Sequence, residues 1–392
     1  MSRKLSYSKA MSNLGTETAF EILAMAKELE KKGAKVIHLE IGEPDFDTPE
    51  HIKEAAARAL KAGYTHYTPA PGILELRQAI AEKVSKERRI DVDPNREVIV
   101  MPGAKPGLFM GILSTVNPGE EVLVPDPAFP IYRSVVEFTG AVAVSIPLRE
   151  KKNFRIDPED VRRKVTAKTK MLILNSPHNP CGSTLTKSDI EALAEIARDN
   201  SLWVLSDEVY SKILYEGSHH SIASEPGMKE RTILIDGFSK TYAMTGWRLG
   251  YAIGPAQVIA HMVRLQINIA SCAAAFTQMA AVEALRGPQD SVRKMVEEFN
   301  RRRKTIVSGL NLIKGMSCKM PGGAFYVFPN VKKLGLNARD IMMKLLNQGY
   351  VATLHGEAFG PAGAGYLRLS YATSMENIKE GLSRIKQIIE EL

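Results

Sequence analysis

The residues of this chain that could do chemistry sit at the ends of apolar runs. In RTILIDGFSKTYAMTGWRLGY (231–251), an apolar segment stops at Asp236-Gly237, and Ser239, Lys240 and Arg248 follow. A lysine in a small-residue turn behind a buried strand is partly desolvated. Desolvation lowers its pKa and frees a neutral amine that can attack a carbonyl. Taken alone, most such lysines are simply exposed, so the surrounding residues decide the reading. Asp207 ends LWVLSD, a run apolar enough to be buried on both faces, where a carboxylate needs a cationic or hydrogen-bonding partner or acts as a strand-end cap. Tyr210 follows three residues later. Asn179 lies in NSPHNPCG, a turn stiffened by two prolines and a glycine. Gly103-Ala104-Lys105 precedes the helical pattern GLFMGILSTV, so free backbone N–H groups there point toward an anion or toward water. Arg248 can fork onto a phosphate or lie on the surface.

One ligand would use all of these groups. It needs a carbonyl for Lys240, a basic ring nitrogen for Asp207 and a phenolic oxygen for Tyr210 and Asn179. It also needs a phosphate for Ala104, Lys105, Ser239 and Arg248. Pyridoxal 5'-phosphate carries all four, and a lysine imine with an acidic partner on the ring nitrogen is its binding signature.

The elements that must position these residues are legible from about residue 96. Short apolar runs at 97–101, 121–125, 141–146, 170–175, 202–206, 232–236 and 250–254 alternate with helical patterns such as 187–200. This spacing predicts an α/β fold whose large domain has a mostly parallel seven-stranded sheet covered by helices. In such sheets ligands bind at the carboxyl ends of the strands. The C-terminal hundred residues differ: helices are expected at about 289–314, 338–348 and 375–391, with strands between. The helix at about 17–33 and the stretch KVIHLEIG are expected to join them. The expected division is 46–288 for the large domain, with 1–45 and 289–392 forming an N-terminal arm and a smaller α+β domain.

Composition sets further bounds. The chain has 392 residues, 44% hydrophobic and 24% charged, with net charge +8 and pI near 9.2. The positive balance admits nucleic acid or an anionic ligand. The basic residues are scattered among acidic ones, however, and RRRK (301–304) reads as an exposed helix face, so no nucleic-acid partner is expected. Three well-separated cysteines, Cys181, Cys272 and Cys318, favour a reducing, cytoplasmic setting and no structural metal. No apolar run approaches membrane length, and the N-terminus has no secretory pattern. GPAGAG (360–365) lacks the strand-then-helix context of a phosphate loop and reads as a flexible connection. His219-His220 suggests a metal only faintly.

Read together, GEPDFDTPEHI (42–52), YTPAPGILELRQAIA (67–81), DPAFPIY (126–132), NSPHNPCG (175–182), SDEVY (206–210), FSKTYAMTGWRLGY (238–251), PGGAFYVFP (321–329) and YLRLSYA (366–372) are highly specific in order and spacing. With them the chain resembles the fold-type I, class I/II aminotransferases, in the prokaryotic branch of the aspartate aminotransferase family. The resemblance implies that Lys240 carries the cofactor and shuttles a proton and that Asp207 pairs with the ring nitrogen. Tyr210 and Asn179 would bond the ring oxygen, and Phe129 would stack on the ring. Tyr67 would reach a phosphate in a neighbouring subunit of a homodimer with shared sites. Arg368 would clamp the substrate carboxylate with Asn179 and the Gly42 backbone N–H. Amino acids and 2-oxo acids are the expected substrates, aspartate or glutamate with 2-oxoglutarate first, in ping-pong kinetics. Alternatives are aromatic, alanine or broad donors, or a β-lyase on the same fold. A non-catalytic DNA-binding regulator is a third reading, disfavoured by the short N-terminal arm. Three positions bear on how far the family pattern carries over: Gly237 stands where relatives often have serine, His355 where they usually have proline, and Lys105 where some prokaryotic relatives recognise an acidic side chain, with Glu17 placed to neutralise it or repel an acidic substrate.

Overall fold

The computed structural model describes residues 5–392. Its centre is a seven-stranded sheet in the order Val98–Met101, Gly250–Ile253, Thr232–Gly237, Trp203–Asp207, Thr169–Asn175, Glu121–Asp126, Val142–Pro147. Gly250–Ile253 runs antiparallel to both neighbours, and the other six strands share one direction. The strands form where expected because their Val, Ile and Leu runs are covered on both faces. All residues of Val98–Met101, Thr232–Gly237 and Gly250–Ile253 are buried. Each observed strand lies within one or two residues of its apolar run.

The helices between strands follow the same local logic. Lys187–Asp199 starts on a capping box, in which Thr186 and Asp189 each satisfy the other's backbone N–H. Glu50–Lys61 meets Ala275–Arg286 through Ala56 on one side and Ala280, Ala281 and Ala284 on the other, and small residues let the two backbones approach closely.

Register aligns the carboxyl ends of the strands. Asn175 lies opposite Asp207, and Asp207 lies opposite Ile235, two residues before Gly237. The chemically capable residues, scattered along the sequence, therefore converge at the carboxyl ends of the strands.

Both ends of the chain meet outside this sheet. Ile37–His38 pairs in parallel with Val351–Ala352, and Leu354–His355, Leu367–Ser370 and Tyr326–Val327 form a three-stranded antiparallel sheet. The long helix Asp290–Asn311 packs on the closing helix Met375–Glu390. His355 ends a strand and bonds Glu357 through Nδ1 at 3.1 Å.

Two expectations are corrected. RRRK is not an exposed face: Arg302 and Arg303 are buried, whereas Arg301 and Lys304 point outward. Arg302 bonds Asp45 at 2.6 Å and lies over the rings of Phe46 and Phe299. Arg303 bonds the Pro321 carbonyl at 2.7 Å and lies over Tyr215. Their long stems and planar heads cover aromatic surface, which composition alone conceals. GPAGAG is likewise a packed turn rather than a loose connection. It includes the short 3₁₀ segment Pro361–Gly363, and the Ala362 N–H donates to Asp126 at 3.0 Å.

Candidate active site

A cavity of about 460 Å³ opens at the carboxyl ends of the strands. Its lining includes Gly42, Ala104, Lys105, Phe129, Asn179, Asp207, Tyr210, Ser239, Lys240, Arg248 and Arg368, so eleven of the twelve expected site residues share one space. The twelfth, Tyr67, is 89% exposed on the surface of the chain and does not line the cavity.

Lys240 sits in the turn of helix Phe238–Thr241, directly after the strand that ends at Gly237. Its Nζ donates to the Gly42 carbonyl at 2.6 Å and lies 5.9 Å from the centre of the Phe325 ring. Burial, reinforced by the charges of Arg248 and Arg368 against the opposing Glu43 and Glu17, pulls the amine down to about 8. Asp207 is buried. It accepts from the Tyr132 hydroxyl at 2.7 Å and the Val209 N–H at 3.3 Å, and it has no ion pair among the described residues. Desolvation pushes its carboxyl up to about 6 despite those two bonds. The Tyr210 hydroxyl meets that of Tyr326 at 2.7 Å. Asn175 Nδ2 donates to the Asp207 carbonyl at 3.0 Å and its Oδ1 accepts the Asn179 backbone N–H at 2.9 Å; the buried Asn179 Oδ1 has no partner.

Close backbone packing builds the anion-facing corner. Gly103 (φ +98°) precedes Ala104, the first cap of helix Lys105–Thr115. A Cβ on Gly250 would stand 2.5 Å from the Ala104 nitrogen and 2.6 Å from the Gly103 carbonyl carbon. One on Gly103 would stand 2.5 Å from a terminal nitrogen of Arg248. A Cβ on Gly237 would stand 3.2 Å from the Gly250 Cα, a tight but less severe contact between the two paired strands. Arg248 itself has φ +52°, a left-handed conformation that L side chains adopt at a cost, and donates to the Thr245 carbonyl at 2.8 Å.

Arg368 rises from strand Leu367–Ser370, is buried, and lies between the rings of Tyr326 (4.7 Å) and Phe359 (5.2 Å). It donates to the Glu40 carbonyl, while its Nε has no partner. Lys105 pairs with Glu17, and its Nζ lies 5.4 Å from the Phe129 ring centre.

Tyr132 and Tyr326 were not among the expected site residues. Both stand inside quoted motifs (DPAFPIY and PGGAFYVFP), but their partners lie on other elements. His219, suggestive of a metal, instead bonds the buried Glu208 at 2.8 Å.

Comparison with known proteins identifies the family. Residues 34–385 match the family model for aminotransferase class I and II. The aspartate aminotransferase of Pyrococcus abyssi is 46% identical over 91% of this chain and 92% of its own length. The crystal structure of an aromatic aminotransferase from Pyrococcus horikoshii shares 44% identity with a TM-score of 0.90, covering 93% of this chain and 99% of that one. An alanine aminotransferase from Pyrococcus furiosus shares 34% with a TM-score of 0.94, covering 99% and 100%. The chain belongs to the class I and II aminotransferases.

Proposed function

We propose that this aminotransferase works with pyridoxal 5'-phosphate held by Lys240, and that it passes an amino group between an L-amino acid and a 2-oxo acid. One observation carries the reading. An amine drawn down to about 8 and a buried carboxylate with no cation of its own face the same cavity. The cofactor's and substrate's groups suit what the chain leaves unpaired there: a ring N–H for Asp207, and a substrate carboxylate for the Arg368 Nε that lacks a partner.

When bound, the cofactor supplies a carbonyl that condenses with amines and a ring that draws electrons from the substrate α-carbon. The protein does the rest. Asp207 keeps the ring nitrogen protonated, and in doing so its own carboxyl returns toward the ordinary carboxylate range. Tyr132 and Val209 hold that carboxylate in place. The Tyr210 hydroxyl and the Asn179 amide donate to the ring oxygen, and Phe129 packs on the ring face. Ala104, Lys105, Ser239 and Arg248 receive the phosphate. Arg368 presents a planar fork to the substrate carboxylate, with Asn179 and the Gly42 N–H beside it. The Lys240 amine, once free, takes the proton from the substrate α-carbon and returns it elsewhere, a role suited to a base near 8.

The first-choice substrates are aspartate or glutamate with 2-oxoglutarate. A second reading, neutral or aromatic donors, is favoured by the Lys105–Glu17 pair, because it cancels the cation that would otherwise attract an acidic side chain. A panel of twenty amino donors against 2-oxoglutarate separates the two by relative kcat/KM. We further propose a cytoplasmic homodimer that shares its sites through Tyr67, with residues 46–288 as the cofactor-binding domain. Borohydride reduction of the purified holoenzyme is expected to fix the cofactor on Lys240. A label on another lysine, or none, sinks the proposal.

A further inference from the structure

Behind Arg368 the chain buries a carboxylate that no part of the reading above uses. Glu40 is fully buried, and its Oε2 has no partner. Its Oε1 meets His38 Nδ1 at 2.7 Å, and His38 Nε2 meets Glu30 Oε1 at 3.0 Å. Glu30 is itself held by Lys27 at 2.8 Å. The Glu40 backbone carbonyl accepts from Arg368, and the Glu40 charge acts on the guanidinium. A buried anion beside a buried cation competes with any incoming carboxylate for that cation.

The backbone does not need this side-chain arrangement for support. Ile37 and Leu39 already donate to the Tyr350 and Ala352 carbonyls at 2.8 and 3.0 Å, and Ser370 donates to Leu39 at 2.7 Å.

We propose that His38 and Glu40 are positioning residues that set the charge Arg368 offers to substrate. While His38 is protonated it draws the Glu40 carboxylate to itself, and Arg368 stays free to receive the α-carboxylate. When His38 loses its proton, the uncompensated Glu40 holds Arg368 back. Glu40 and Glu30 keep His38 charged beyond the ordinary histidine range, so the change falls on the alkaline side. The other charged groups near this segment are few. Helix Thr18–Lys31 presents Glu30 and Lys27, and the closing helix presents Arg384 on the Lys35 and Gly349 carbonyls. Tyr326, Tyr210 and Glu17 also act on Arg368, and the Lys240 amine faces it in the same cavity, while the pairing strand Val351–Ala352 carries no charge.

This inference rests on Arg368 being the carboxylate clamp, so its test includes that residue. The readouts on the holoenzyme are KM for the amino donor and the inhibition constant of butyrate, a carboxylate without an amine, measured from about pH 6 to pH 9, across the histidine range. In the wild type both constants are expected to rise with pH by about three- to tenfold, the size of one unbalanced charge near a buried ion, with kcat little affected by this step. His38→Gln is expected to show the high values throughout. Glu40→Gln is expected to show low values with that rise gone, and the double variant should match Glu40→Gln. A destabilising structural role would make the double variant worse than either single one. Retention of the wild-type rise in Glu40→Gln overturns the proposal even if His38→Gln fails to fold. If Arg368→Gln leaves both constants unchanged, the clamp assignment itself has failed. If Arg368→Gln raises them while Glu40→Gln changes nothing, only the present inference falls.

Discussion

At the scale of single residues, the site is a set of groups held away from their usual ionisation. Lys240 is drawn down to about 8, so its reactivity should follow that value rather than an ordinary lysine's. In protein prepared without cofactor, the rate of labelling at Lys240 by an amine-directed reagent is expected to reach half its maximum near pH 8. A midpoint above pH 10 would contradict the desolvation argument. Asp207 shifts the other way. Its carboxyl in the folded chain stands above its unfolded value, so its contribution to stability is fully present below the ordinary aspartate range and is lost as pH rises through about 6. Asp207→Asn should therefore flatten the fall in cofactor-free stability between about pH 4 and pH 7, measured by chemical denaturation. The same variant should lose most transamination, by about a hundredfold or more, while keeping some bound chromophore, because the amide cannot hold the ring nitrogen protonated. Wild-type turnover by Asp207→Asn would refute the pairing.

At the scale of elements, the anion-facing corner depends on how closely two backbones approach. Gly250 lets the Gly237 strand end and the Gly103-Ala104 turn lie against each other, and the start of helix Lys105–Thr115 then lines the same cavity as Ser239 and Arg248. Gly250→Ala adds a methyl group where the nearest atoms are backbone, which cannot rotate away. We expect a loss of about 1–3 kcal/mol in stability, in the range of overpacked cores, together with weaker cofactor retention on dialysis. Unchanged melting temperature and retention would mean that the corner relaxes freely. The strands themselves were easy to read, because a run of Val, Ile and Leu bounded by turn residues is a short-range signal. The charged helix 290–311 was harder. Arg301 and Lys304 face water while Arg302 and Arg303 are buried, and the difference lies in the aromatic rings of Phe46, Phe299 and Tyr215 supplied from elsewhere in the chain.

At the scale of the whole molecule, Tyr67 is the test. It belongs to a motif of the family, yet it lies exposed and outside the chain's own cavity. If it completes the site of a second copy, two defective variants should rescue each other. Lys240→Ala and Tyr67→Ala, dissociated and reassociated together, are expected to recover up to about a quarter of wild-type activity, because half of the dimers are mixed and each mixed dimer carries one intact site. No recovery on mixing, with mixed dimers verified by mass, would confine Tyr67 to its own subunit or to no role.

The sequence alone determined the α/β alternation, the limits of the strands and the residue types available at their ends, because periodicity and turn chemistry act over a few residues; the order of the strands in the sheet came from the structure. It also carried the family through ordered motifs. What it left open were the pairings that give those residues their properties. Tyr132 meets Asp207 across 75 positions, Tyr210 meets Tyr326 across 116 and Lys240 meets Gly42 across 198. The Glu30–His38–Glu40 arrangement behind Arg368 was equally invisible. Such contacts depend on strand register and helix packing, and only those decide which charges are desolvated together and therefore how strongly each one holds its proton.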